Sequence, residues 1–213
     1  MRIFLAVFPP APVQAAVADA IARVRRQGDG LAWVRRENLH YTLRFMGDLD
    51  ERRRDAVYER GALARVITAA REGVTGVAPF DALLGAADAF PAAQRARVLW
   101  LGLAEGGEAL VALAAGVERA LVAQGFAPAA RPFAPHLTIA RVRARDQDWS
   151  GRLQDVGPDP APRFRVDRVR VIESTLASGA APSNVGRAGA APSNSVRAAG
   201  SKYAVRAEAV LAS

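Results

Sequence analysis

Both histidines of this 213-residue chain lie in the same short pattern, in which a threonine follows the histidine two residues later. The first occurs in NLHYTLRFMG as His40 and Thr42, and the second occurs in PHLTIARV as His136 and Thr138. The residues around each pair alternate between polar and apolar, which predicts a β-strand with side chains two apart on one face. The sequence therefore predicts two strands, each presenting one imidazole beside one hydroxyl.

Alternation within the first motif assigns its side chains to two faces. Arg44 shares the parity of His40 and Thr42, so it is a candidate contact for an anionic substrate. In the second motif, Leu137 and Ile139 point inward, and His136 and Thr138 share the opposite face. The apolar face of the first strand is predicted to hold Tyr41, Leu43 and Phe45.

Arg141 falls on the opposite parity from His136, but it is close to the end of the predicted strand, where strict alternation can fail. It is kept as a second candidate anion contact.

The order of predicted elements is β-α-β-β-α-β, then β-α-β and further strands. Each half of the sequence supplies strands, a helix and one His-x-Thr strand, which favours an α+β fold of two similar lobes, each with an antiparallel sheet, facing each other across a cleft. The chain is predicted to form one such bilobal domain over residues 1–213. Helices are predicted at residues 14–26, 51–70 (capped by Asp50) and 108–124, and the main flanking strands at 3–8, 80–87, 97–103, 164–173 and 202–211.

Residues 175–201 do not show the strand and helix pattern of the rest of the chain. The hexamer GAAPSN begins at Gly179 and again at Gly189, within a stretch of small and polar residues. Two copies cannot stack into a repeat architecture, so residues 175–201 are interpreted as a flexible loop insert.

Composition excludes several classes of protein. The chain is 51% hydrophobic and has no cysteine, which removes disulfides, thiolate metal sites and cysteine nucleophiles together. No apolar run approaches the roughly 20 residues of a membrane span, and the start, MRIFLAVFPP, is interpreted as a strand rather than a signal peptide. We therefore expect a soluble cytoplasmic protein that does not associate with membranes. Nothing calls for an oligomer, so a monomer is expected.

The net charge of +8 suits an anionic partner such as nucleic acid. Arginine supplies nearly all the positive charge and Lys202 is the single lysine, a usage typical of GC-rich genomes. The charge agrees with a phosphate-bearing substrate without establishing one.

Two imidazoles and two hydroxyls around one centre are suited to phosphoryl transfer. Imidazoles titrate near neutrality, so one can accept a proton while the other donates one. The hydroxyls can donate to phosphate oxygens that gain charge in the transition state, in which case no metal is needed. A zinc site would require a third ligand from a distant segment, and neither a Gly-x-Ser-x-Gly elbow nor a phosphate-binding glycine loop occurs.

The sequence resembles the two-histidine phosphoesterase superfamily, specifically the bacterial and archaeal RNA 2′,3′-cyclic phosphodiesterases once called 2′-5′ RNA ligases. The resemblance spans nearly the full chain and departs from the family at the GAAPSN insert. It is carried by RIFLAVFPP, WVRRENLHYTLRFMGDL, ARVLWLGL, RPFAPHLTIAR and the closing strand after VIEST.

The resemblance implies roles for the motif residues. His40 matches the family's proton donor, His136 its proton acceptor, and Thr42 and Thr138 its phosphate contacts. It implies hydrolysis of an RNA 2′,3′-cyclic phosphate end to a 2′-phosphate with no cofactor. Phe133 and Trp33 are further candidates, for stacking on a base or ribose.

Two alternatives remain open from the sequence. One is reversible 2′-5′ RNA ligation at the same site. The other is a non-catalytic RNA-binding module with a basic cleft.

Overall fold

The computed structural model describes residues 2–49, 61–143, 146–176 and 201–212. Asp50, residues 51–60 of the predicted second helix, and both GAAPSN copies lie outside the described residues. The described part combines helices with antiparallel strands, so the predicted α+β class is confirmed. The helices are α1 (Ala11–Val24), α2 (Ala62–Gly73) and α3 (Gly107–Ala123), and the strands are β1 (Arg2–Val7), β2 (Leu31–Trp33), β3 (Tyr41–Asp48), β4 (Phe80–Phe90), β5 (Val98–Glu105), β6 (Leu137–Val142), β7 (Arg163–Val166), β8 (Arg168–Leu176) and β9 (Ser201–Val210).

All nine of these strands belong to one sheet in the order β7-β4-β5-β6-β3-β1-β8-β9, with β2 paired to β6. Two groups of strands meet where β3 touches β6, through the single register pair Tyr41 and Leu137. We call them the β3 half (β3, β1, β8 and β9) and the β6 half (β6, β2, β5, β4 and β7). These halves are not halves of the sequence, because β2 pairs with β6, β8 pairs with β1, and β9 pairs with β8.

The sheet curls strongly, as its connections show. The strand predicted at residues 164–173 is in fact two strands, β7 and β8, separated only by Asp167. These strands stand six positions apart in the sheet, which is about 29 Å in a flat sheet at roughly 4.8 Å per strand. A two-residue step spans only about 7 Å, so the ends of the sheet must bend toward each other.

The helices cover one face of the sheet, which we call the helix face. The predicted apolar stripe of α3 is confirmed, because Leu110, Leu113, Val117 and Leu121 are all buried. Helix α1 begins three residues earlier than predicted, since Pro12 in its first turn needs no backbone N–H partner there. Among the described residues, none of the helices is long and apolar enough to cross a lipid bilayer.

The opposite face carries a second, smaller apolar cluster. Strand β1 is apolar on both sides, since Ile3 and Leu5 enter the main core and Phe4 and Ala6 face the other way. The smaller cluster comprises Phe4, Ala6 and Ile172, with Phe8 and Tyr203 packed against it. This apolar surface lies beside the histidine motifs.

Candidate active site

The seam between β3 and β6 brings the two motifs together. His40 directly precedes β3 and His136 directly precedes β6. Tyr41 and Leu137, the register pair at the seam, are both fully buried in the main core. Continuing that antiparallel pairing by one residue in each direction places His40 beside Thr138 and Thr42 beside His136. We call the surface that bears these four side chains the motif face.

Both imidazoles are held by the same local hydrogen bond. Nδ1 of His40 lies 2.6 Å from the carbonyl oxygen of Asn38, and Nδ1 of His136 lies 2.8 Å from that of Ala134. A carbonyl oxygen only accepts, so Nδ1–H is the donor in each case. Nε2 is therefore the nitrogen left to exchange protons, as a base in the neutral ring or as an acid in the charged ring.

Aromatic rings enclose His40. The ring of Phe4 stacks on it at 4.9 Å between centroids, and the ring of Phe8 stacks on it at 5.1 Å. Tyr203 adds an edge contact at 5.5 Å. The guanidinium of Arg170 lies over Phe8. These contacts fix the plane of the imidazole and cover part of its surface, so that His40 is half-buried.

Burial lowers the pKa of His40 from its usual value to about 4. The hydrogen bond to Asn38 opposes this shift, and the positive charges of Arg141 and of a protonated His136 add to it. Burial is also the main reason why the pKa of His136 is lowered, and Arg141 contributes again. Both rings are therefore neutral at pH 7 until an anion binds next to them.

This burial predicts a specific loss of stability in acid. Between pH 6.5 and 4 the unfolded chain binds a proton at His40 that the folded chain does not, so the free energy of unfolding falls as pH falls. At about 1.4 kcal/mol per pKa unit the loss reaches about 2 to 3 kcal/mol near pH 4.5. We expect guanidinium denaturation to show this extra loss in the wild type relative to His40→Gln. Equal pH dependence in the two proteins would contradict the buried neutral imidazole.

His136 has a more open aromatic neighbourhood than His40. The ring of Phe90 makes a T-shaped contact with the His136 ring at 5.3 Å between centroids, and the ring of Trp100 makes one at 6.3 Å. Phe90 and Trp100 stack on each other at 5.0 Å. The Phe90 side chain nevertheless remains 37% exposed, so one side of this aromatic pair is accessible.

Arg141 reaches the motif face because β6 contains a bulge. Trp100 of β5 pairs with Thr138 of β6, but the next pair is Leu99 with Ala140. Ile139 of β6 therefore has no register partner on β5. The extra residue reverses the alternation that follows. Arg141 thus returns to the side of His136, and its charge acts on both imidazoles. Its Nε is buried and has no acceptor among the described residues.

The same kind of irregularity turns Arg44 to the other face of the sheet. The prediction that Arg44 shares the face of His40 and Thr42 is therefore wrong. On β1, Ala6 pairs with Thr42 and Leu5 pairs with Arg44, so Leu43 is an extra residue in β3. Arg44 therefore points to the helix face. There it donates to the carbonyl oxygen of Ala127 at 2.6 Å and lies 3.5 Å from a carboxylate oxygen of Glu118 in α3.

The extra residue Leu43 also changes the face of Phe45, and a second shift follows at Met46. Phe4 pairs with Phe45, and Ile3 pairs with Gly47. Phe45 consequently shares the face of Phe4 instead of joining Tyr41 in the core, and its side chain is 40% exposed.

The two aromatics proposed from sequence for stacking belong to the core. Trp33 is buried, contacts Trp149, and donates through its indole N–H to Asp29 at 2.7 Å. Phe133 packs against the main core. The aromatic residues at the site were missed, although the two-sided apolar pattern of β1 could have indicated Phe4 and Phe8. The missed residues are Phe4, Phe8, Phe90, Trp100 and Tyr203.

Metal ligands do not cluster in the described part of the chain. Over residues 2–49, 61–143, 146–176 and 201–212, no three His, Cys, Asp or Glu side chains gather as a group that could hold an ion.

Comparison with known proteins places this seam in a family. The family model of the 2′-5′ RNA ligase superfamily matches residues 9–176. That span covers most of the chain and includes both motifs, and the chain belongs to this superfamily. The predicted family is therefore confirmed.

Several relatives are RNA 2′,3′-cyclic phosphodiesterases. The protein from Thermotoga maritima is 30% identical over 83% of this chain and 88% of its own length. The one from Methanothermobacter thermautotrophicus is 33% identical over 73% and 82%. Among solved structures, a protein from Thermus thermophilus superposes with a TM-score of 0.67 at 25% identity, covering 99% of this chain and 98% of its own. Escherichia coli LigT in complex with 3′-AMP gives the same TM-score at 21% identity, covering 100% and 98%.

Proposed function

We propose that this chain is a metal-independent RNA 2′,3′-cyclic phosphodiesterase that produces 2′-phosphate ends. The observation that carries the proposal is the pair of imidazoles at one seam. Each is tied through Nδ1–H to a backbone carbonyl, and each lies beside a threonine. The relatives named RNA 2′,3′-cyclic phosphodiesterase support the same activity. Binding of 3′-AMP by Escherichia coli LigT agrees with a nucleotide site in this fold.

In the proposed reaction, Nε2 of His136 takes a proton from water as the water oxygen attacks phosphorus. The bond from phosphorus to the 3′ oxygen breaks, and Nε2 of His40 gives its proton to that oxygen. The 2′ ester bond is kept, so the product is a 2′-phosphomonoester. One proton enters through His136 and one leaves through His40, and exchange with solvent resets the pair.

The phosphate itself enables this sequence. Its negative charge next to the two rings raises their lowered pKa values, so that one ring becomes charged when substrate binds. Thr42 and Thr138 donate hydroxyl hydrogens to its oxygens, and Arg141 supplies a cationic donor. Arg44 has no part in this scheme, since it is engaged with Glu118 on the helix face.

The direct test is an assay on adenosine 2′,3′-cyclic monophosphate with EDTA present. We expect turnover in chelator and a product that is only the 2′-monophosphate. A 3′-monophosphate product would contradict the assignment of the leaving oxygen. A rate that returns only with added zinc would contradict metal-independent catalysis.

Ligation is a second candidate, favoured by the family to which the chain belongs. A 5′-hydroxyl in place of water at the same phosphorus would yield a 2′-5′ linkage and use the same acid and base. Incubation with a cyclic-phosphate oligonucleotide and a 5′-hydroxyl acceptor separates the two activities, because only ligation lengthens the oligonucleotide.

A further inference from the structure

We propose that the stacked pair Phe90 and Trp100 is the platform for the nucleobase of the nucleotide that carries the cyclic phosphate. The proposal rests on the proposed function and deepens it, because it names the residues that make the enzyme prefer a nucleotide over a bare sugar phosphate. It also predicts a preference for purines, whose larger rings stack on more aromatic surface.

Strand register places this pair next to the phosphate centre. Trp100 on β5 is the direct neighbour of Thr138 on β6, and Asp88 on β4 is the direct neighbour of Trp100. Adjacent strands lie about 4.8 Å apart. A phosphate held at Thr138 therefore leaves its ribose and base within reach of β5 and β4. Phe90 contacts both Trp100 and His136, so the platform is continuous with the catalytic residues.

The aromatic rings of the other half are already occupied. Phe4 and Phe8 stack on His40, and Tyr203 closes its edge. On the β6 side, Phe90 and Trp100 do not stack on the imidazole of His136 but meet it in T-shaped contacts, at interplanar angles of 85° and 74°. The 37% exposure of Phe90 leaves surface on that ring for a base.

Two unpaired donors lie at the same strands. The Nε1–H of Trp100 and the Nε–H of Arg141 are both buried, and neither has an acceptor among the described residues. A buried donor without a partner is costly, so such groups normally meet an acceptor when the site is filled. Phosphate and ribose supply the oxygens that these donors lack.

The experiment compares three substrates and three variants. The substrates are the 2′,3′-cyclic phosphates of adenosine, of uridine and of methyl ribofuranoside, which has no base. The variants are Phe90→Leu, Trp100→Leu and the control Phe45→Leu, an aromatic of similar exposure (40%) on the β3 half.

We expect wild-type kcat/KM to fall in the order adenosine, uridine, methyl ribofuranoside. Phe90→Leu and Trp100→Leu should lower the adenosine value roughly 10- to 100-fold, the usual worth of one base stack. They should lower the base-free value far less, by no more than a few-fold, because Trp100→Leu also removes the Nε1–H that donates to phosphate or ribose. Phe45→Leu should change neither value.

Three results would overturn the platform. The wild type could have the same kcat/KM on the base-free cyclic phosphate as on the adenosine cyclic phosphate. Phe90→Leu could slow all three substrates equally, which would mean that it only supports His136. Phe45→Leu could be the variant that removes the base preference.

A failure of the proposed function is recognised separately. If the wild type hydrolyses none of the three cyclic phosphates, calorimetric titration replaces turnover. Adenosine 2′-monophosphate should still bind more tightly than ribose 2-phosphate, and Phe90→Leu should remove the difference. Equal affinities in the wild type would overturn the platform as well.

Discussion

Replacing either histidine by alanine should reduce kcat on a 2′,3′-cyclic phosphate by roughly 10²- to 10⁴-fold, the usual contribution of a positioned acid or base. His40→Ala and His136→Ala each remove one of the two rings held at the seam by a carbonyl. The double variant should lose little more than the poorer single variant, because an acid and a base that act in one step are not additive. Steady-state rates in EDTA measure all three.

The roles of His40 as proton donor and His136 as proton acceptor can be separated by changing the leaving atom of the substrate. A substrate with sulfur at the 3′ position leaves as a thiolate, which needs much less protonation than an alkoxide because its pKa is lower. His40→Ala should therefore lose far less activity on the sulfur substrate than on the oxygen substrate, and His136→Ala should lose the same on both. The opposite pattern would exchange the assigned donor and acceptor. A non-catalytic RNA-binding module predicts no wild-type turnover and nearly unchanged RNA affinity in both variants.

The core of the site could be predicted from sequence because it depends on local repetition. A period of two places His40 with Thr42, and His136 with Thr138. In each strand the extra residue that breaks the alternation, Leu43 or Ile139, comes only after this pair. The α+β class follows from the order of elements in the same way. The pairing of β3 with β6 across the seam is not local, and it was reached through the resemblance to a family rather than through alternation.

Alternation failed where an extra residue enters a strand. Ile139 in β6 has no register partner on β5, and Leu43 in β3 has none on β1. Each extra residue reverses the side of the sheet to which the following residues of its strand point. Arg141 therefore joins the motif face against its parity, and Arg44 leaves it. A bulge depends on the pairing partner, so the sequence of one strand does not reveal it.

The split at Asp167 has a similar origin. Residues 164–173 read as one continuous strand because both β7 and β8 are rich in Val and Arg. Whether they pair as one strand depends on the curl of the whole sheet, which sends β7 to β4 and β8 to β1. The aromatics of the site were missed for the same reason, since Phe90 and Trp100 come from strands that carry no motif.

Arg141→Gln should move the pH profile of kcat/KM and lower its maximum by roughly 10- to 100-fold. The profile reports the free enzyme, in which burial and the Arg141 charge hold the pKa values of both imidazoles below their usual value. The wild-type bell should therefore lie on the acid side of pH 6.5. Removing the charge raises both pKa values, so both limbs should shift toward higher pH. The drop in the maximum reflects the loss of a charged donor to phosphate, worth about 1.5 to 3 kcal/mol.

Arg141→Lys is the matched control for this prediction, because it keeps the positive charge and loses the guanidinium fork. Its pH profile should stay at the wild-type position although kcat/KM falls. A profile that shifts equally in the Gln and Lys variants would mean that Arg141 acts through packing rather than through its charge. A Gln variant with an unshifted profile would place the guanidinium away from both rings, and the bulge at Ile139 would then have no consequence for catalysis.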